Sequence, residues 1–148
     1  MNIFVTVGTT PFNSLVKFVD GISNQKYDIK MQISNGTYKP ENHSFFSFDK
    51  DIDKYYHDAD VILTHAGAGS IYKLLEMNKK IIVFPNTDRQ DLHQFDIARY
   101  VYINNYGLLG SLHKSLDLQI IKSYKAIFSQ YRKVRFSASD VIEALKNG

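Results

Sequence analysis

The stretch Val61–Asn86, VILTHAGAGSIYKLLEMNKKIIVFPN, constrains this chain more than any other part of it. A β-type apolar run, Val61, Ile62 and Leu63, breaks at the small-residue turn Thr64–Ser70 and resumes with helical spacing through Met77. A second β-type run, Ile81–Phe84, stops at Pro85. Strand, glycine turn, helix and strand make one βαβ unit, whose turn suits a phosphate. Gly67 and Gly69 let a ligand approach the backbone. The free N–H groups and positive dipole end of the next helix face the same place.

The rest of the chain repeats this logic. Ile3–Val7 is a continuous apolar run, as in a strand buried on both faces. Gly8-Thr9-Thr10-Pro11 ends it, and Phe12, Leu15, Val16 and Val19 then recur at helical spacing. Asp28–Ile33 alternates through Ile29, Met31 and Ile33 and predicts another strand. Phe45–Phe48 predicts a short aromatic strand, after which Asp49 or Asp51 is placed to cap a helix running to about Asp58. Beyond Phe84 come a polar loop, Pro85–Asp91, and a helix over Leu92–Asn104 with Phe95, Ala98 and Tyr102 on one face. Gly107–Gly110 allows only a very short strand, and Leu116–Ser129 predicts a further helix. A last helix starts at Ser137, with Asp140 near its positive end and Phe136 set to staple onto Val141.

With no internal repeat or low-complexity linker, residues 1–148 read as a single domain. Alternating strands and helices predict an α/β fold, a Rossmann-like, mostly parallel sheet with helices on both faces. Ligands of such sheets bind outside the carboxyl ends of the strands. The Gly8 turn, the His65–Ser70 turn and the loop after Phe84 all belong on that edge.

Composition narrows the chemistry. The absence of Cys removes disulfides, thiolate metal sites and cysteine nucleophiles together. A formal charge of +3 with dispersed basic residues argues against a nucleic-acid partner. Arg132, Lys133 and Arg135 form a modest cluster, read either as a solvated basic turn or as a contact for anionic lipid or an acidic partner. No apolar run approaches the roughly 20 residues of a membrane span. Residues 1–7 enter a strand at once, without the pattern of a signal peptide, so the expectation is a cytoplasmic protein. The glycines do not match the dinucleotide fingerprint, and no Gly-Lys-Ser/Thr follows either turn. Hydride transfer and P-loop phosphoryl transfer fall away.

Other candidates have bland readings beside the sharp ones. Asp51/Asp53 and Asp58/Asp60 resemble metal-binding pairs, but acids flanking a short helix are ordinarily caps and solvated side chains. Asp88, Asp91, His93 and Asp96 lack the ligand set of a zinc site. His65 either fixes its loop through a backbone hydrogen bond or contacts a phosphate or sugar hydroxyl. His93-Gln94 opens a helix on the binding edge, where an amide that both donates and accepts suits a sugar.

Four ordered motifs carry a resemblance. Phe4–Thr10, His65–Ser70, Asn78–Pro85 and Asp91–Gln94 together resemble the C-terminal domain of family 28 glycosyltransferases. The likeness is greatest to short, separately encoded versions, the catalytic subunit of the eukaryotic dolichol-linked GlcNAc transferase and bacterial exopolysaccharide subunits of the PssE type. It implies the C-terminal, donor-binding half of a GT-B enzyme. It further implies inverting transfer of a hexose (GlcNAc, galactose or glucose) from a UDP-sugar to a lipid-diphosphate-linked saccharide, without a bound metal or other cofactor. The acceptor half would come from a membrane-anchored partner subunit that recruits the chain to the cytoplasmic membrane face.

Carried over residue by residue, the resemblance has Gly8, Thr9 and Thr10 approach the donor and Gly67, Ala68, Gly69 and Ser70 hold its diphosphate. His93 and Gln94 face the transferred sugar, Phe48 lies where an apolar side chain meets the uracil, and Pro85, Asn86 and Asp91 complete the substrate-binding set. One departure stands out: relatives carry a ribose-binding acid three residues after the Ser/Thr of the turn, and this chain has Lys73, with Glu76 as the nearby substitute. Relatives usually place the general base in the acceptor half, which leaves His65 as the local candidate. A non-enzymatic nucleotide-sugar-binding accessory or regulatory module is the alternative.

Overall fold

The computed structural model describes residues 1–23, 25–90, 92–114, 116 and 129–133. Ten elements follow one another: β1 (Asn2–Thr6), α1 (Asn13–Asp20), β2 (Asp28–Gln32), β3 (Ser44–Phe46), α2 (Asp53–Asp58), β4 (Val61–His65), α3 (Ala68–Glu76), β5 (Ile81–Phe84), α4 (His93–Ile103) and β6 (Leu108–Leu109). The strands form one six-stranded sheet in the order β3-β2-β1-β4-β5-β6. Every pairing is parallel, with Ile3 opposite Val61 and Thr6 opposite Thr64 at the centre.

Strand alternation divides the core into two layers. Ile3, Val5, Val7 and Leu63 pack with Leu15, Val16 and Val19 of α1. Phe4, Ile62 and Val83 point the other way, onto Tyr56 of α2, Ile71, Leu74 and Leu75 of α3, and Ala98 and Val101 of α4. All five residues of β4 are buried, the mark of a central parallel strand. Each fully buried Leu, Ile, Val or Phe contributes roughly 1.5–3 kcal/mol relative to leaving it exposed.

Helices α3 and α4 stop by the same device. Asn78 and Asn105 sit at φ 54° and 55°, in the left-handed region. Asn78 N–H bonds to Leu75 C=O and Lys79 N–H to Leu74 C=O, with Asn105 N–H to Tyr102 C=O and Tyr106 N–H to Val101 C=O at the second helix. This is the Schellman closure, with asparagine in the glycine position.

Several boundaries move from the sequence expectation. Thr64 and His65 belong to β4, because ladder hydrogen bonds continue to His65 opposite Phe84. Neither Asp49 nor Asp51 caps α2, which starts at Asp53 behind Ile52 without a side-chain cap. Asp49 instead accepts from Asp51 N–H and Tyr55 hydroxyl, both at 2.9 Å, and pairs with Lys54. On α4 the buried residues are Gln94, Ala98 and Val101. Phe95 and Tyr102 stay half exposed and join Ala98 in lining a groove of about 600 Å³ with Phe84 and Leu109. The predicted helices over Leu116–Ser129 and from Ser137 fall largely or wholly outside the described residues. Among the described residues no helix is long and apolar enough to cross a membrane.

Candidate functional site

The sheet order reverses direction between β1 and β4. The chain winds outward from β1 through β2 and β3 on one side, and from β4 through β5 and β6 on the other. Connections leaving the carboxyl ends of β1 and β4 therefore diverge, and the crevice between them is where open α/β sheets bind ligands. The Gly8–Thr10 turn, the Ala66–Gly67 turn, the loop after Phe84 and the start of α4 meet there, as the motif spacing predicts.

His65 joins the two turns. The residue is buried, 7% exposed. A Cβ built on Gly8 would lie 2.6 Å from His65 Cε1, and one on Gly67 2.2 Å from His65 Nε2. Both turns thus close onto one imidazole, and only glycine permits it. Gly8 is also the left-handed position of its turn, with φ 66°. Burial pushes the His65 pKa below the usual histidine range, outweighing the opposing hydrogen bond to the Thr6 main chain. The imidazole is neutral at pH 7 and fills the wall of the crevice.

Gly69 differs from its neighbour. A Cβ there would meet nothing within 4 Å. The first intrahelical bond runs from Ile71 N–H to Gly67 C=O, and no side chain caps α3. The N–H groups of Ala68, Gly69 and Ser70 therefore open onto the crevice, reinforced by the helix dipole. The start of α1 contrasts with this, because Asp88 of the β5 loop already covers it. Ser14 N–H donates to Asp88 Oδ2 at 3.0 Å, and Ser14 hydroxyl contacts Asp88 Oδ1. Of the two helix ends at the switch point, α3 offers the open anion seat.

Two buried amides fix the loops around that seat. Gln94 Oε1 accepts from Ala66 N–H at 3.2 Å and Asn86 N–H at 3.0 Å, clamping the ends of β4 and β5 together. Asn86 is fully buried. Its Nδ2 donates to Pro11 C=O at 3.1 Å, while its Oδ1 accepts from Asp88 N–H at 3.0 Å. Gln32, which sequence reasoning missed, does the same beneath the first turn. Its Oε1 accepts from Thr6 hydroxyl and Val7 N–H, and its Nε2 donates to Gly8 and Ser47 carbonyls. In the sequence Gln32 falls on the polar phase of the alternating strand, beside Asp28 and Lys30, so residue pattern alone does not mark it for that role.

The other predicted residues fall in different places. Thr9 is exposed, and its carbonyl accepts from Ser34 hydroxyl at 2.9 Å. Thr10 hydroxyl accepts from Arg89 at 3.4 Å. His93 is exposed on the same edge at the first residue of α4, and Asp91 lies outside the described residues. Pro85 lines the groove beside α4. Phe48 is 55% exposed beyond β3, two strands from β1, a separation of about 10 Å at the usual strand spacing. Lys73 turns toward α2, pairing with Asp53 and lying 5.7 Å from the centre of the Tyr56 ring. Glu76 ends α3, about 12 Å along the axis from Ala68, and pairs with Lys133 at 2.9 Å. The structure does not bring these two side chains to the glycine turn. Of the acid pairs, Asp53 is held by Lys73, and Asp60 accepts from Asn2 N–H at 2.7 Å.

An open, all-parallel sheet in this order is a Rossmann-like fold, and it resembles the C-terminal half of GT-B glycosyltransferases. The glycosyltransferase family 28 C-terminal domain model matches residues 2–140, and the chain belongs to that family. It is 34% identical over 114 residues to the human UDP-N-acetylglucosamine transferase subunit ALG13, covering 68% of this chain and 10% of the relative. A Flavobacterium psychrophilum UDP-N-acetylglucosamine--N-acetylmuramyl-(pentapeptide) pyrophosphoryl-undecaprenol N-acetylglucosamine transferase is 25% identical over 149 residues, covering 95% of this chain and 39% of the relative. The chain thus spans about a tenth of the human relative's length and well under half of the bacterial one's. The solution structure of ALG13 superposes with a TM-score of 0.56 at 20% identity, covering 97% and 94% of the two chains. The crystal structure of Acinetobacter baumannii MurG superposes with a TM-score of 0.59 at 17% identity, covering 82% of this chain and 40% of that one. Both share the fold.

Proposed function

We propose that this chain is the donor-binding subunit of a two-component inverting glycosyltransferase. It seats the diphosphate of a UDP-sugar on the open N-terminus of α3. The hexose passes to a lipid-diphosphate-linked saccharide held by a membrane-anchored partner subunit at the cytoplasmic membrane face. The observation that carries this reading is the uncapped Ala68–Ser70 turn at the switch point, beside an α1 start that Asp88 already covers. As the glycosidic bond breaks, negative charge builds on the UDP leaving group. Fixed N–H groups and the helix dipole stabilise that charge without reorganising. His65 is buried and hydrogen-bonded, so its role here is to shape the seat, and the base that deprotonates the acceptor hydroxyl comes from the partner.

Support comes from family membership and from the human relative's description as a UDP-N-acetylglucosamine transferase subunit, which favours GlcNAc among the hexoses. The test has two arms: calorimetry of the full chain with UDP, and sugar transfer to a lipid-diphosphate acceptor after co-expression with a membrane-anchored acceptor-half subunit. Binding together with transfer is expected. Binding without transfer by any such complex favours the accessory-module alternative, and absence of UDP binding overturns both readings.

A further inference from the structure

The loop after β5 carries a cation that none of the sequence motifs includes. Arg89 is exposed, and its Nη1 donates to Thr10 hydroxyl at 3.4 Å, spanning from the β5 loop to the β1 turn. Among the described residues it has no ion pair. Its neighbour Asp88 is not available, since both carboxylate oxygens are engaged by Ser14. Lys73, the other cation close to the glycine turn in sequence, is committed to Asp53. His65 is buried and neutral.

The base from which Arg89 projects is rigid. Asn86 is fully buried and bonded to Pro11 and Gln94, and Asp88 is fixed to the start of α1. An arginine on a pinned loop loses little further freedom when it meets an anion, and its planar donor fork matches phosphate oxygens. The β1 turn it touches is next to the β4 turn, since β1 and β4 are paired neighbours and both turns pack on His65.

We infer that Arg89 is a second anchor for the donor's diphosphate. It engages one phosphate from the β5 loop while the N-terminus of α3 engages the other, so that the chain selects nucleoside diphosphates over monophosphates. The inference rests on the UDP-sugar reading above. It also gives the leaving group a positive charge beyond the neutral N–H donors of α3.

The experiment is titration of the full chain with UDP and with UMP, for the wild type and for Arg89→Ala and Arg89→Lys. Wild type is expected to prefer UDP. Arg89→Ala weakens UDP about tenfold with little change for UMP, as loss of one charge-assisted contact would do. Arg89→Lys restores part of the preference, and thermal midpoints stay unchanged because the side chain is exposed. An equal loss for UDP and UMP, or no loss for either, overturns the Arg89 assignment while leaving UDP binding in place. Failure of the wild type to bind UDP overturns the donor reading and the inference with it.

Discussion

Gly67→Ala isolates the contact on which the crevice is built. Gly67 has φ −80° and ψ 128°, which alanine adopts freely, so the backbone contributes no strain. The new methyl would sit 2.2 Å from His65 Nε2 and 2.8 Å from Cδ2, and so needs more than 1 Å of relief to reach ordinary contact. The ring is confined, because Gly8 also packs against its Cε1–Nε2 edge and the Thr6 main chain holds it. Overpacking of this kind costs about 1–3 kcal/mol. Losing the bond to Thr6 adds about 1 kcal/mol. A destabilisation of about 2–4 kcal/mol moves the urea midpoint by roughly 1–2 M at a slope of about 2 kcal/mol per M.

Removing the obstacle supplies the control. In His65→Ala the methyl has space, so adding Gly67→Ala to it should cost almost nothing. The cycle then shows a coupling energy of about 2–4 kcal/mol, the whole cost of the single substitution. Equilibrium urea unfolding of the four proteins measures it. Additive losses, or a Gly67→Ala protein as stable as wild type, would refute the wedge.

Gly69→Ala should behave in the opposite way, since its Cβ meets open space within a helix: stability holds or rises by up to about 1 kcal/mol, while UDP affinity measured by calorimetry falls. Gln94→Leu strands two buried backbone N–H groups at about 1–3 kcal/mol each, whereas Gln94→Glu keeps an acceptor for both, so denaturation should rank Leu far below Glu. His65 makes stability depend on pH. Its folded pKa is lowered, so the unfolded chain takes up the proton first, and stability is complete above about 6.5 and declines as pH falls through that value. His65→Gln should remove up to one proton's worth of that slope, about 1.4 kcal/mol per pH unit, as read from unfolding midpoints between pH 7.5 and 5.5.

Much of the architecture is written locally. Ile3–Val7, Val61–Leu63 and Ile81–Phe84 announce buried parallel strands because such strands are apolar on both faces. Ile71, Leu74 and Leu75 announce the inner face of α3 because helical neighbours recur three and four residues apart. Strands followed by glycine turns and helices then place both turns on one sheet edge before any coordinate is known. Even the ends of α3 and α4 are local matters, decided within a few residues of Asn78 and Asn105.

Only the tertiary structure separates the roles of residues that look alike in sequence. Gly67 and Gly69 stand two residues apart, yet one is held against His65 and the other opens to the crevice, because His65 points back between two turns from neighbouring strands. Which helix end is free for an anion depends on Asp88, 74 residues from the Ser14 it meets. Lys73 faces away from the turn because Asp53, 20 residues earlier, lies on the adjacent helix. Gln94 reads as a sugar contact by residue type, but its oxygen is committed to two backbone N–H groups, one of them 28 residues away. Periodicity and turn chemistry act over a few residues, so the sequence by itself determines the strands, the helices and the sheet edge on which both glycine turns lie. Side-chain direction and hydrogen-bond commitment depend on which distant groups the sheet order brings together, and that decides which residues of the edge remain free to bind.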